Sequence, residues 1–160
     1  MGVSMKYYLI ILVVALLVRS VSLVDAEEKA EEKTAEKAAQ AWMALFDSGQ
    51  YEKSYEHLGA ETQKTMTREN WVNYLNKTRK PLGQISSRKL IKTEDEKSTT
   101  AAVNKSVVLR YESSYQNQKP IIEEFGVMQA PDGNWRVISW LPLQDQEKKD
   151  RLNQNDPIKR

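Results

Sequence analysis

The chain contains no cysteine. Disulfide staples, thiolate nucleophiles and zinc–thiolate sites are therefore excluded, and so is a lipid carried on a cysteine near the N-terminus. A single histidine among 160 residues leaves little material for a histidine-based catalytic or metal constellation. Charge of one sign is also missing: 24 Lys and Arg stand against 22 Asp and Glu, a net charge of +2. Nucleic-acid binders usually show a clear basic excess, so this near-balance argues against that partner. Long apolar runs are absent but for one, residues 7–18, YYLIILVVALLV.

That run follows Lys6 and precedes Arg19 and a small-residue stretch ending Val24-Asp25-Ala26. A positive start, a short apolar stretch and small residues at −3 and −1 form the pattern of a secretory signal peptide cut before Glu27. A spanning helix needs roughly 20 apolar residues, and Arg19 interrupts this run. The expectation is export to the periplasm or beyond, with translation starting at Met1 or Met5. The alternative is an uncleaved anchor, which would be the only membrane attachment. The expected layout is a signal peptide over 1–26, one domain over 27–143 and a polar tail over 144–160. Within the domain, 27–37 is a charged helical extension.

The mature part carries four Trp and most of the seven Tyr and two Phe, enough bulk for one modest core. Ala35, Ala38, Ala39, Trp42, Leu45 and Phe46 recur at helical spacing, with Gly49 placed to cap the helix. Tyr51, Tyr55 and Leu58 predict a second, short helix that Gly59 can end. Thr67 is set to N-cap a third, whose inner face is Trp71, Tyr74, Leu75 and Thr78. Pro81 stops it, since its ring disfavours a helical residue before it.

Beyond Pro81-Leu82-Gly83 the period changes. Residues 85–93, 101–115, 120–129 and 134–141 read as strands, the last two joined across the turn signal Pro131-Asp132-Gly133-Asn134. Strict alternation sends Trp135, Val137, Ser139 and Leu141 to one face of the last strand and Arg136, Ile138 and Trp140 to the other. Large apolar groups on both faces predict a central or doubly covered strand. Helices followed by antiparallel strands define an α+β fold, three helices packed on one face of a curved four-stranded sheet.

Three helices and a curved four-stranded sheet resemble the cone of cystatins and of nuclear transport factor two. More specifically, AAQAWMALFDSGQYEKSY, Trp71, Arg79-Lys80-Pro81-Leu82-Gly83, Ser87-Arg88-Lys89-Leu90 and GNWRVISW resemble the mainly secreted bacterial domain-of-unknown-function family four-zero-one-nine. The resemblance covers about Ala35 to Leu141. It implies the cone fold and an envelope location, and it implies no activity; the residues themselves suggest no cofactor.

Few residues offer chemistry. His57 has Asp47 and Glu56 near it in sequence, but no motif places either as its orienting carboxylate. Tyr51 and Tyr55 share a helix face near the expected mouth of the cone. An enolate-stabilising site there would need an inward acid, and the strands offer Glu112, Glu123 and Glu124, the last two on opposite faces. From Asn70 to Thr93 there is no acidic residue, while Lys77, Arg79, Lys80, Arg88, Lys89 and Lys92 all fall there. Arg79 and Arg88 flank the Pro-Leu-Gly turn and can form one fork-like anion site. Trp135 and Trp140 can line an apolar pocket or fill the core.

The candidate binding residues are therefore Arg79, Arg88, Lys89, Tyr51, Tyr55, Trp135 and Trp140, with no catalytic or metal-ligating residue. The functional expectation is a non-enzymatic exported domain that binds a small ligand or an envelope protein, with a homodimer through the sheet as a further possibility. The alternative is a small hydrolase or isomerase acting inside the cone. An inward cluster of strongly perturbed ionisable groups in a pocket would favour the enzyme, and an apolar or filled cone would disfavour it.

Overall fold

The computed structural model describes residues 29–96 other than 31, and residues 105–143. The expected signal peptide and start codon, the first residues of the charged extension and the polar tail lie outside the described residues. The chain divides into two compact units, residues 1–34 and residues 35–160. In the first, the described residues 29, 30 and 32–34 are helical, and the Thr34 hydroxyl donates to the Ala30 carbonyl at 2.8 Å. Among the described residues no helix is long and apolar enough to cross a membrane.

The second unit begins with α1, residues 35–47. Its buried stripe is Ala35, Ala39, Trp42, Met43 and Phe46, while Ala38 and Leu45 are only half-buried. The apolar face is thus turned slightly from the expected one, with Met43 taking the place of Leu45. Gly49, at φ 74°, ends the helix as expected. Its N–H donates to the Phe46 carbonyl at 3.3 Å and that of Gln50 to the Leu45 carbonyl at 2.9 Å, the paired bonds of a Schellman motif. Asp47 is left in the last turn, where a carboxylate meets the negative end of the helix dipole and needs cations close by.

Helix α2 spans Tyr51–Glu56, α3 spans Ala60–Thr65 and α4 spans Arg68–Thr78. α3 was not expected; it buries no residue, so no apolar period announces it. Gly59 does not end α2 in a left-handed turn. It is extended, at φ −62° and ψ 146°, and precedes α3 as its N-cap. Close approach explains the glycine, because an added Cβ would stand 2.5 Å from Ile138 Cγ2. The Gly59 N–H donates to the Val137 carbonyl at 2.8 Å, and the Thr62 hydroxyl donates to the Ile138 carbonyl at 2.6 Å. Thr67 caps α4 as expected, its hydroxyl accepting from the Asn70 N–H at 3.2 Å. Past Arg79 the chain tightens into a 3₁₀ turn, Lys80–Leu82, around Pro81.

Four antiparallel strands follow: β1 Ile85–Glu96, β2 Ser106–Tyr115, β3 Gln118–Gln129 and β4 Trp135–Leu143, in the spatial order of the sequence. The expected α+β class holds, with four helices among the described residues in place of three. The open sheet is compatible with the cone.

β4 corrects the sequence reading in two ways. It is an edge strand with Ser139 and Leu141 exposed, neither central nor covered on both faces. Its free edge is covered in the middle by the Gly59 and Thr62 donors. Its faces also differ from strict alternation, because the β3–β4 register shifts between Gly126 and Val127, pairing Gly126 with Ser139 and Val127 with Val137. Ile138 is the extra residue of a β-bulge, which inverts the alternation beyond it. Trp140 therefore joins Trp135 and Val137 among the buried residues, while Ser139 and Leu141 are exposed. Gly126 permits this, since a Cβ there would lie 2.4 Å from Ser139 Oγ.

The core is aromatic, with Phe46 at its hub. Its ring centroid lies 5.1 Å from Trp42, 4.8 Å from Trp140, 6.3 Å from Phe125 and 6.5 Å from Tyr51. Trp71 and Tyr111 extend the cluster, packing against Trp42 and Phe125. The space between helices and sheet is thus filled with rings.

Candidate functional site

One buried polar cluster is set into this core, assembled from both helical and strand elements. Asp47 comes from the last turn of α1, Arg79 from the end of α4 and Arg88 from β1. Ser113 and Tyr115 come from β2, Glu123 from β3 and Trp140 from β4. Arg79 Nη2 donates to Asp47 Oδ1 at 3.1 Å and Nη1 to the Gly83 carbonyl at 2.7 Å. Arg88 grips the same carboxylate with a fork, Nη1 on Oδ2 and Nη2 on Oδ1. Its Nε and Nη2 also reach Glu123 Oε2, each at 3.2 Å, and Nη2 donates to the Tyr115 hydroxyl at 2.8 Å. The second Glu123 oxygen accepts from the Tyr115 hydroxyl at 2.7 Å and from Trp140 Nε1 at 2.8 Å.

Burial makes these contacts consequential. Glu123 is 0% and Arg79 2% exposed. Two guanidinium and two carboxylate charges cancel, so the cluster carries no excess charge into the interior. The Arg79 guanidinium also lies 4.4 Å from the Tyr115 ring centroid and 5.2 Å from that of Phe46, a stacking available to arginine and not to lysine.

The titration behaviour points away from acid–base work. Burial, reinforced by the Glu123 charge, drives the Tyr115 hydroxyl far above its ordinary range. Burial opposes the Arg88 charge, but the bonds to Asp47 and the Glu123 charge outweigh it and hold the guanidinium ionised. A general acid or base works best with its pKa near the operating pH. The Tyr115 hydroxyl and the Arg88 guanidinium are each held in one protonation state.

Tyr111 stands apart. Its hydroxyl is buried and has no hydrogen-bond partner, and burial pushes its pKa up to about 12. The folded state then favours the neutral phenol. This contribution is fully present below the unfolded value of about 10 and is lost as pH rises from there towards about 12. Tyr111→Phe is expected to leave stability at pH 7 unchanged or slightly raised, because no bond is lost. It should also flatten the fall in stability between pH 9 and 11. Urea unfolding of both proteins at the three pH values checks this.

The sequence candidates separate into groups. The structure brings Arg79 and Arg88 together, on carboxylates of the chain itself, with Trp140 beside them. Of the cations on that flank, Lys92 pairs with Glu94, and Lys77, Lys80 and Lys89 are exposed. Glu123 and Glu124 lie on opposite faces as alternation requires, and each has its own arginine: Arg110 Nε donates to Glu124 Oε1 at 2.6 Å. Tyr51 is buried against Phe46, and the Tyr55 hydroxyl donates to the Met66 carbonyl at 2.9 Å. Tyr51 feels the charges of Asp47 and Arg79, but among the described residues neither tyrosine hydroxyl bonds to a carboxylate. His57 is exposed, and its ring Nδ1 lies 2.9 Å from the Lys53 carbonyl. Among the described residues no group of three or more His, Asp or Glu is placed to hold a metal.

Trp135 belongs to a different feature, a groove of about 510 Å³ between α1 and the start of β4. Ala38, Ala41 and Leu45 form its helical wall, and Trp42, Trp135 and Val137 its floor. Glu56, His57 and Arg136 stand at its rim. The Trp42 indole N–H is engaged by the Ser54 carbonyl at 2.8 Å, so that ring offers only hydrocarbon to the groove.

Sequence reasoning missed the role of Asp47, which it weighed only as a neighbour of His57. The available signal was an acid in the last turn of a helix, where the dipole disfavours it. It also missed the Ala38–Ala41–Leu45 wall, which at helical spacing reads as core.

No curated protein and no solved structure matches the chain. The model of a family described as proteins of unknown function (DUF4019) matches residues 38–140, from the first turn of α1 to Trp140 of β4, well over half of the sequence, and the chain belongs to that family.

Proposed function

We propose that this protein is an exported, non-enzymatic domain that binds a ligand or partner in the bacterial cell envelope. The observation that carries the non-enzymatic reading is the fate of the buried ionisable groups. They converge within hydrogen-bond reach, but Asp47, Arg88, Glu123 and Tyr115 bond to one another in a packed core, and of the Arg79 guanidinium only Nε is left without a partner among the described residues. The open concavity has an apolar floor and wall, the character of a binding site. Export is supported by the sequence of residues 1–26, and the envelope by the chain's resemblance to a family of mainly secreted bacterial proteins.

Two measurements test this reading. Export predicts a product in the envelope fraction whose N-terminal mass begins at Glu27; a full-length product dissolved in the cytosol contradicts it. Binding without chemistry predicts that compounds from an envelope extract that raise Tm are recovered unchanged by mass spectrometry after prolonged incubation. Conversion of such a compound by the purified protein would favour the hydrolase or isomerase reading instead.

A further inference from the structure

We infer that the groove between α1 and β4 takes a small, uncharged, largely apolar molecule carrying one hydrogen-bond donor. This rests on the binding reading above and names its site and ligand class. The size is suitable: about 510 Å³ falls within the roughly 300–1,000 Å³ of small-molecule sites. A docking helix or strand would need a longer track, and the neighbouring edge of β4 is already closed at Val137 and Ile138 by Gly59 and Thr62.

The chemistry follows from what the lining offers. Ala38, Ala41 and Leu45 give α1 a second apolar stripe outside the core stripe, and their small side chains leave room over Trp42 and Trp135. Burying apolar surface there stabilises a ligand by roughly 25 cal/mol per Å².

The rim decides the charge. Glu56 is paired with Arg68 at 3.2 Å, and Arg136 is held by both oxygens of Asp132, at 2.9 and 2.6 Å. An ionic head group buried on the apolar floor would lose water without gaining a free counter-charge, which is unfavourable. His57 supplies a directional contact. Its Nδ1 faces a carbonyl, which can only accept, so Nδ1 carries the hydrogen. In the neutral ring Nε2 is then a lone-pair acceptor, and it suits a ligand hydroxyl or amine N–H.

Two fluorescent probes with one skeleton isolate these features. N-phenyl-1-naphthylamine is neutral and has an N–H; 8-anilinonaphthalene-1-sulfonate adds a negative charge. The full chain at pH 8 should bind the neutral probe saturably at one site and the sulfonate at least tenfold more weakly. Ala41→Trp fills the groove from an exposed helix position, so it should weaken the neutral probe at least tenfold with Tm unchanged. In the wild-type protein the probe should shift the NMR methyl signals of Ala38, Ala41 and Val137. Equal or tighter sulfonate binding, undiminished binding by a folded Ala41→Trp protein, or no saturable binding of the neutral probe overturns the proposal. Those results would leave untouched a ligand found by Tm shift that binds elsewhere, so the two readings fail separately.

Discussion

Asp47→Ala is expected to destabilise the fold by about 3–5 kcal/mol, the usual cost of removing one partner from a buried ion pair. For a domain of this size that lowers Tm by roughly 10–20 °C. The cost arises from what stays behind. Arg79 and Arg88 share this carboxylate, and their side chains are 3% and 11% exposed. Without Asp47, Arg79 keeps the Gly83 carbonyl and two ring faces, and Arg88 keeps Glu123 and Tyr115, but neither regains water. The last turn of α1 would also lose its link to the end of α4. Asp47→Asn should recover part of the loss through its remaining carbonyl oxygen. Thermal and urea unfolding of the three proteins decide the order; an alanine variant within 1 kcal/mol of wild type would show that these bonds do not hold the helices.

Glu123→Ala is expected to be at least as damaging, again by roughly 3–5 kcal/mol for the broken pair, with a cavity cost in addition. Glu123 is fully buried on a central strand and accepts from Arg88, Tyr115 and Trp140 together. Each donor left without an acceptor costs on the order of 1–3 kcal/mol. Against a total stability of about 5–15 kcal/mol, the variant should be partly unfolded at 37 °C. Glu123→Gln keeps an oxygen for Tyr115 and Trp140 but turns donors towards Arg88, so an intermediate loss is expected. In the double variant Glu123→Leu with Arg88→Met, the destabilisation should fall short of the sum of the single losses by 0.5–3 kcal/mol, the range seen for coupled neighbours. A loss equal to that sum would mean that the two side chains act independently.

How much of this was legible in the sequence follows from the range of each interaction. The capped ends of α1 and α4, the Pro131–Asn134 turn and the opposed faces of Glu123 and Glu124 are local, set by turn chemistry and by the period of two. They were read correctly. The parity of β4 depends on a bulge, and the hint for it was Gly126, on the partner strand opposite Ser139. A glycine inside a strand often marks such a site. α3 is held by Gly59 and Thr62 reaching a strand more than seventy residues away, and nothing in Ala60–Thr65 announces it.

The polar cluster was half legible. The acid-free stretch from Asn70 to Thr93 and the placement of Arg79 and Arg88 around one turn indicated a paired cationic feature. Their counter-charges come from Asp47, 32 and 41 positions away, and from Glu123, 35 positions beyond Arg88. Only the packing of α1 over the sheet and the register of β1 through β3 bring these together. A basic segment read alone suggests an external anion; in the fold, the anions are internal.

The most direct test of that conclusion is the nitrogen-15 NMR spectrum of the arginine side chains during titration with inorganic phosphate. If Arg79 and Arg88 are engaged by Asp47 and Glu123, their guanidinium N–H signals are resolved and slow to exchange, and they do not move as phosphate is added. Rapidly exchanging signals that shift saturably with phosphate would contradict it, showing that the two arginines face an external anion.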